Sequence, residues 1–463
     1  MYEGHWVEEL NDITKAYIYP YRNEGQNIVA EITIETDGTV DLNSIETEIP
    51  HLKYNKQLLV MLTQDDCMHA AFCRTWAAIH NRPVSNRFYY DYVHLLADDL
   101  PPSDLSTFNK TLGSTDGAGN EVRFSFTTTV DAESGMMDID TRVALHSSSD
   151  VTRFNMQSRL SWRNLIEMLN YDVGIAFHDV QTEAVNDVDS IKKHYALAQN
   201  IIQKKLSGRG CKALTEPNGN KTYVDAALQY DPIQTMTAQA GATTIYPFMV
   251  DDDLRKTLQH REFWSIEDSK RMIQNQFNQP TSNRQAVHIG VHGTDYSWAA
   301  FLYWLNENYG KDAVGKDSYD IVWMPNFDEY YEYTYNRKHG KVERSINGDK
   351  LTIKVSIPGS EYFYFPSTTV NLIGLDMENV VSVSSSNSVT GLSYANIASP
   401  TEPNKNNLML NIDCRAALVE HAERYVKQYE ESKSDPLLKD DALYFVNRLK
   451  DSDKKTVLLV RLQ

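Results

Sequence analysis

Residues 56–80, KQLLVMLTQDDCMHAAFCRTWAAIH, join a continuous apolar run to a polar turn and a helix-like segment. The run KQLLVMLT shows no alternation of apolar and polar residues, which is typical of a strand buried on both faces. It ends at Gln64-Asp65-Asp66-Cys67, and MHAAFCRTWAAIH follows as a predicted helix. A buried strand, a polar turn and a helix form the βα unit of an α/β fold.

Similar units recur further along the chain. Helices are predicted for SWRNLIEMLNY (161–171), SIKKHYALAQNIIQKKLS (190–207) and SWAAFLYWLNENYG (297–310). Strands are predicted for DVGIAFHD (172–179), AVHIGVHG (286–293) and the short segments KALTEP and QTMTA. Strands that alternate with helices predict a mostly parallel sheet or barrel, whose functional residues collect at the carboxyl ends of the strands.

The pattern changes on both sides of this region, so we predict three parts. Residues 1–50 are predicted to be an N-terminal β-like extension, because IVAEITI alternates like a strand. Residues 51–335 are predicted to form the barrel, with an insertion at about 83–150. Residues 336–463 are predicted to be a mostly-β, sandwich-like accessory domain with two C-terminal helices, CRAALVEHAERYVKQYEE and PLLKDDALYFVNRLK, and a last strand, TVLLVRL (456–462).

The charge and the apolar runs exclude two classes of protein. The 463 residues carry 45 Lys and Arg against 63 Asp and Glu, which gives a formal charge of −18. Nucleic-acid binding is not expected, because phosphate contacts need clustered cationic side chains. The longest apolar runs, such as LLVML (58–62), are too short to span a membrane. The segment MYEGHWVEEL shows no signal peptide, which predicts either a cytoplasmic protein or a mature chain whose leader was removed.

Ionisable residues stand at three of the predicted strand ends: Asp65-Asp66, His178 and His292. Strand ends meet at one rim of a barrel, where metal ligands and acid/base groups belong. Adjacent residues of an extended strand point in opposite directions, so one aspartate can bind a cation while the other faces a reacting water. Simpler interpretations stay open at this point: the aspartates could cap the following helix, and the histidines could be core residues.

Four segments also resemble the polysaccharide deacetylase family (the NodB homology domain, carbohydrate esterase family four). LLVMLTQDDC resembles its first motif, a strand that usually ends Thr-Phe-Asp-Asp-Gly, and LSWRNLIEMLNYDVGIAFHD resembles the helix and strand before its second motif, His-Ser/Thr-x-x-His. LTEPNGN (214–220) is similar to the third motif, Arg-Pro-Pro-x-Gly, and AVHIGVHG to the fifth, which ends Leu-His-Asp. The segments occur in family order over roughly residues 50–330. The resemblance implies an α/β fold, a distorted (β/α) barrel of the polysaccharide deacetylase type.

The resemblance implies roles for four side chains. Asp65 matches the catalytic base and Asp66 the metal-binding aspartate of the family. His178 matches the first metal-binding histidine, and His292 matches the general acid that protonates the leaving group.

Other motif positions depart from the family. The second metal-binding histidine falls at Thr182, so Thr182, Glu183 and His69 are alternatives for a third metal ligand. The arginine that orients the base falls at Thr215, and Cys67 replaces the glycine after the aspartate pair.

The implied activity is metal-dependent hydrolysis of N-acetyl or O-acetyl groups on an oligo- or polysaccharide, with a divalent metal, zinc by analogy, as the cofactor. The analogy also implies a periplasmic or extracellular location. Two alternatives stay open: a catalytically degenerate glycan-binding protein on the same fold, and a scaffold component that adheres through residues 336–463. The sequence leaves the sugar, the linkage and the oligomeric state open.

Overall fold

The structure is a computed structural model that describes residues 17–19, 25–85, 89, 105–138, 160–182, 184–398 and 406–463. Its strands, in chain order, are β1 (Ile28–Thr36), β2 (Glu46–Glu48), β3 (Leu58–Gln64), β4 (Val84–Ser85), β5 (Leu105–Ser106), β6 (Gly113–Thr115), β7 (Glu121–Arg123), β8 (Thr127–Thr129), β9 (Gly174–Phe177), β10 (Ala213–Thr215), β11 (Thr235–Ala238), β12 (Leu258–His260), β13 (Val287–Val291), β14 (Val322–Trp323), β15 (Lys341–Asn347), β16 (Lys350–Ile357), β17 (Ser367–Ile373), β18 (Val380–Ser385), β19 (Gly391–Ala398) and β20 (Asn406–Asp413). Its α-helices are α1 (Ala77–Ile79), α2 (Trp162–Leu169), α3 (Val188–Lys205), α4 (Lys221–Leu228), α5 (Ile266–Phe277), α6 (Tyr296–Tyr309), α7 (Phe327–His339), α8 (Leu418–Glu431), α9 (Pro436–Asn447) and α10 (Asp453–Arg461).

A parallel sheet that curls into a barrel occupies the middle of the chain. Its strand order is β12-β11-β10-β9-β8-β3-β13, and β14 pairs in parallel with the beginning of β3. An isolated bridge between Glu262, just after β12, and Ile289 of β13 joins the two ends of this order. The predicted α/β class and deacetylase-type barrel are therefore confirmed. β8 lies within the range that we predicted to be an insertion, and it is one of the barrel strands.

The apolar run of β3 is buried on both faces, as its sequence predicts. Leu59 and Met61 face the barrel interior, where they share a hydrophobic cluster with Phe327 of α7. Val60 and Leu62 belong instead to the larger cluster between the sheet and the surrounding helices. This alternation turns Asp65, two residues beyond Thr63, towards the interior.

Two antiparallel sheets pack beside the barrel as a sandwich. Their strand orders are β15-β16-β1-β18 and β19-β20-β17-β2. β1 pairs with β16 on one side and β18 on the other, so an N-terminal strand lies inside a sheet built mainly from the C-terminal part of the chain. One apolar cluster fills the space between the sheets and includes Ile32, Ile353 and Leu410.

The C-terminal helices share the hydrophobic cluster of the barrel. Leu418 of α8, Phe445 of α9 and Leu458 of α10 all belong to it. The predicted last strand, TVLLVRL, is wrong: these residues lie mostly in α10, which begins after the N-cap Ser452. Leu458 and Leu462 are buried four residues apart, so the apolar contacts follow the period of a helix.

A buried carboxylate joins these helices to the barrel. Asp441 of α9 is 0% exposed and accepts hydrogen bonds from Arg82, from Arg123 at 2.6 Å and from the Tyr171 hydroxyl at 2.6 Å. Burial by itself raises the pKa of Asp441, but the two arginines lower it below its ordinary value. The pairing therefore keeps a charged carboxylate inside the interface.

His421 of α8 forms a second buried polar contact. Its Nδ1 lies 2.7 Å from the Tyr17 hydroxyl and its Nε2 2.9 Å from the Asn170 carbonyl. Burial lowers the pKa of His421 to about 3. The ring is therefore neutral at physiological pH.

Within the described ranges, no helix combines the length and the apolar character that crossing a membrane requires.

Candidate active site

Three of the four predicted site residues meet at the carboxyl end of the barrel. Asp65 and Asp66 follow β3, and His178 follows β9. The His178 Nε2 atom lies 3.4 Å from Asp66 Oδ1 and 3.9 Å from Asp65 Oδ2. These side chains are 113 or 112 residues apart in the chain (178 − 65 and 178 − 66), so the barrel itself brings them together.

Asp65 is held by an arginine that the sequence motifs did not indicate. Arg261, just after β12, donates to both carboxylate oxygens, with Nη1 2.6 Å from Oδ1 and Nη2 2.8 Å from Oδ2. It also donates to Thr63 Oγ1 at 3.0 Å and to the Glu216 carbonyl at 3.1 Å. Both charged side chains are only 2% exposed. This bidentate pair fixes the orientation of the carboxylate.

Arg261 takes the role that the family gives to an arginine at the position of Thr215. Thr215, at the family's arginine position, does not hold Asp65 but contacts His178 instead. The one available signal for Arg261 was its position beyond the strand LQH, at the rim where site residues collect. That signal was too weak to separate Arg261 from other rim residues without knowing which strands are neighbours.

His178 is oriented by backbone and carboxylate partners. Its Nδ1 lies 2.9 Å from the Thr215 carbonyl, which directs Nε2 towards the two aspartates. Burial by itself lowers the pKa of His178, but the hydrogen bond to Asp66, the charge of Asp65 and the Thr215 carbonyl raise it above its ordinary value. Nε2 therefore faces the carboxylates either as a proton donor or, when neutral, as a ligand.

The turn after β3 separates the two aspartates. Asp66 and Cys67 both adopt left-handed backbone conformations, with φ of 61° and 49°. The Cys67 N–H donates to Thr129 Oγ1 at 2.8 Å, and its carbonyl accepts from the Leu160 N–H at 2.9 Å. The Asp65 side chain is 2% exposed and that of Asp66 is 45% exposed. Neither aspartate caps the following helix, whose N-cap residue is Ala70, so the capping interpretation is wrong.

Asp66 and His178 line a cavity of about 500 Å³. The other described residues of its wall come from the ends of β3, β8 and β9 and the loop after β9: Cys67, Thr129, Val130, Asp131, Asp179, Val180, Gln181, Thr182 and Val185. Three carboxylates and no Lys or Arg are among these described lining residues. The described part of the cavity wall therefore carries more negative than positive charge.

The described residues do not complete a catalytic zinc site. Such a site normally has three protein ligands, and no group of three or more His, Cys, Asp or Glu side chains among them is arranged to hold a metal. Asp66 and His178 supply two donors. The Thr182 hydroxyl instead contacts the Ser190 hydroxyl at 2.8 Å and accepts from the Ala184 N–H.

Of the other two alternatives for a third ligand, His69 is described by the structure and does not fill this position. His69 is buried with its ring edge-on to Phe72, and it is not among the residues of the cavity wall. Glu183 lies outside the described residues.

His292 lies at the same end of the barrel, directly after β13. β13 is the neighbour of β3, and the Asp65 N–H donates to the Val291 carbonyl at 2.7 Å. The His292 side chain is exposed and stacks on Phe263 rather than forming part of the described cavity wall. His288, which lies four residues earlier in β13, is 2% exposed inside the barrel.

A second cavity, of about 80 Å³, lies between the barrel, the sandwich and the C-terminal helices. Two ion pairs lie in its wall: Lys53 is 2.8 Å from Glu329, and Arg448 is 2.8 Å from Asp172. Charges that neutralise each other leave little to recognise a ligand, so the cavity at the carboxyl end is the better candidate for a functional site.

Comparison with known proteins agrees with this geometry. A family model described as "Putative polysaccharide deacetylase" matches residues 30–463. A search of curated proteins found no match. The family match covers the barrel, the sandwich and the C-terminal helices together. The parallel barrel, the aspartate pair at the end of β3 and this match lead to one conclusion: the chain belongs to the polysaccharide deacetylase family.

Proposed function

We propose that the protein hydrolyses acetyl groups, N-linked or O-linked, on an oligo- or polysaccharide. The observation that carries this proposal is the Asp65–Arg261 ion pair beside the Asp66–His178 pair, at the carboxyl end of the barrel. Family membership supplies the carbohydrate class of substrate. A fixed carboxylate next to an open cavity suits a general base.

In this proposal Asp65 accepts the proton of the attacking water. Arg261 holds both oxygens of the carboxylate, so the base meets the water in one orientation and little reorganisation is needed. His292 donates a proton to the departing amine or hydroxyl. A divalent metal, zinc by family analogy, remains a prediction, and Asp66 and His178 are the residues that would bind it. The described donors are too few for a catalytic metal site.

The cavity wall favours uncharged or cationic sugars. Asp66, Asp131 and Asp179 give it a negative potential, which would repel uronic acids and other anionic glycans. An amine released by N-deacetylation is cationic and would not be repelled. We therefore propose an N-acetylated, otherwise neutral glycan as the substrate. The periplasmic or extracellular location stays a prediction.

The test is release of acetate from oligomers of N-acetylglucosamine. The wild-type protein is expected to release acetate, and Asp65→Asn is expected to lower kcat by at least about 100-fold, because the base is lost. Asp131→Asn, a carboxylate of the same cavity, is the matched control and should keep most of the activity. Full activity in Asp65→Asn would refute the assignment of the base.

Metal analysis of the same variants tests the proposed ligands. If Asp66 and His178 bind a divalent cation, the purified wild-type protein contains it, and His178→Asn and Asp66→Asn contain less. Equal metal content in wild type and both variants would contradict the assignment of these ligands.

A second candidate function is glycan binding without turnover. The incomplete donor set among the described residues favours it. Calorimetric titration with the same oligomers separates the two functions: binding with no acetate release would support the second, and acetate release would exclude it.

A further inference from the structure

One aromatic side chain contacts both the proposed acid and the arginine that holds the proposed base. Phe263 lies two residues beyond Arg261, which holds the base Asp65. The centroid of its ring is 4.9 Å from that of His292, and the two ring planes differ by 24°. The Arg261 Cζ atom is 5.1 Å from the centroid of the same ring. Phe263 therefore connects the residue that orients the base with the proposed acid.

The Phe263 ring lies where the two ends of the barrel sheet meet. A Cβ atom at Gly290 would lie 3.0, 3.1 and 3.2 Å from three atoms of the Phe263 ring, closer than ordinary van der Waals contact, so the glycine leaves the space that the ring fills. The Gly290 N–H donates to the Glu262 carbonyl at 3.0 Å, within the bridge that joins the two ends of the barrel sheet. The Phe263 N–H donates to the Glu262 carboxylate at 3.0 Å.

An exposed histidine needs a neighbouring group that restricts its rotamers if it is to act as an acid. A side chain at the surface has several rotamers, and proton transfer requires one orientation towards the leaving group. Stacked aromatic rings favour a restricted set of relative orientations. The Phe263 ring supplies this restriction for His292. Arg261 contacts the Phe263 ring and also holds Asp65, so it links the position of the ring to that of the base.

We infer that Phe263 is a positioning residue: it holds the His292 ring in the orientation for proton donation and fixes that ring relative to the Arg261–Asp65 pair. This inference rests on the proposed function, since the role of His292 as acid comes from it. Phe263 itself has no group that transfers a proton, so its effect on the reaction is indirect.

The first test observes the contact itself by NMR of protein labelled on histidine. A ring stacked on phenylalanine is shielded by the ring current, and the His292 signals are assigned by their loss in His292→Gln. In Phe263→Leu these signals are expected to move downfield, whereas Phe263→Tyr, which keeps the ring, should leave them in place. Phe248→Leu is the matched control, because Phe248 is also partly buried and also lies beside a histidine, His51.

The second test measures acetate release by the full-length variants. Phe263→Leu and Gly290→Ala, which displaces the ring, are expected to lower kcat by roughly 10- to 100-fold with KM unchanged, the range for a catalytic group that loses its position. Phe263→Tyr should restore kcat, and Phe248→Leu should match the wild type. Thermal unfolding of each variant establishes that it is folded.

Two results would overturn the inference: His292 signals that stay in place in Phe263→Leu, or a raised KM with unchanged kcat, which would make Phe263 a sugar contact. A wild-type protein that releases no acetate would refute the proposed function instead. The NMR comparison would then still decide whether the contact exists, so the two failures are distinguishable.

Discussion

Replacing Arg261 by methionine removes the cation from a buried pair. Asp65 and Arg261 are each 2% exposed, and their two hydrogen bonds measure 2.6 and 2.8 Å. Breaking such a pair leaves an uncompensated charge in the interior and costs about 3–5 kcal/mol. Arg261 also donates to a threonine hydroxyl and a backbone carbonyl, and each of these hydrogen bonds adds about 1 kcal/mol. We therefore expect Arg261→Met to lower the free energy of unfolding by about 5–7 kcal/mol.

Urea unfolding of a double-mutant cycle measures this loss and assigns it. Asp65→Asn and Arg261→Met together should cost less than the sum of the two single changes, with a coupling energy of about 2–3 kcal/mol, because the double variant buries no unpaired charge. Arg271→Met is the matched control: Arg271 pairs with Asp268 on the surface and is 70% exposed, so its loss should cost under about 1 kcal/mol. An Arg261→Met variant as stable as this control, or a coupling energy of zero, would refute the reasoning.

Three further predictions concern the rest of the structure. Asp441→Asn removes the charge of the buried carboxylate that Arg82 and Arg123 share, while Arg123 keeps its contact with Glu121 at 3.2 Å. We therefore expect a loss of about 3–5 kcal/mol in urea unfolding and earlier protease cleavage at the C-terminal helices, and stability equal to wild type would contradict this. The pKa of His421 is about 3 in the folded protein and 6.5 ordinarily, so on acidification the unfolded chain takes up this proton before the folded protein does. The free energy of unfolding should therefore fall by up to about 1.4 kcal/mol per pH unit below pH 6.5. His421→Gln should show a shallower fall between about pH 7 and pH 5. Cys67→Val places a β-branched residue at φ 49° and should lower the free energy of unfolding by at least about 1–2 kcal/mol. Cys67→Gly relieves the backbone strain and should be closer to neutral. Equal melting temperatures of the two variants would count against backbone strain at this turn.

The strands and helices of the barrel were predictable because their signals are local. The apolar run of β3 and the helical spacing of α2, α3 and α6 depend on neighbouring residues only. The prediction of a strand for the final segment TVLLVRL was wrong for the same reason. A run of β-branched and leucine residues does not reveal its period until the surface it packs on is known. In the structure that surface is the helical layer of the barrel, and it selects a helix.

The candidate site was predictable in part. Asp65, Asp66 and His178 each follow a recognisable strand, so their meeting at one rim follows from a parallel barrel. Arg261 could not be found in this way, because it is 196 residues from Asp65 and follows a strand of three residues. The stacking of Phe263 on His292 depends on the closure between β12 and β13 and on the space left by Gly290, and neither is visible in a local pattern.

The amino-acid sequence alone determined the α/β class and the aspartates and histidine at the strand ends, because hydrophobic period and turn residues are properties of short segments. The barrel type came from the resemblance of four segments to the polysaccharide deacetylase family. Only the tertiary structure decided which residues surround them: the arginine on Asp65, the carbonyl on His178 and the N-terminal strand within the C-terminal sandwich. The physical reason is that these contacts join strands distant in the chain. Their pairing depends on how the whole core packs and not on any one segment.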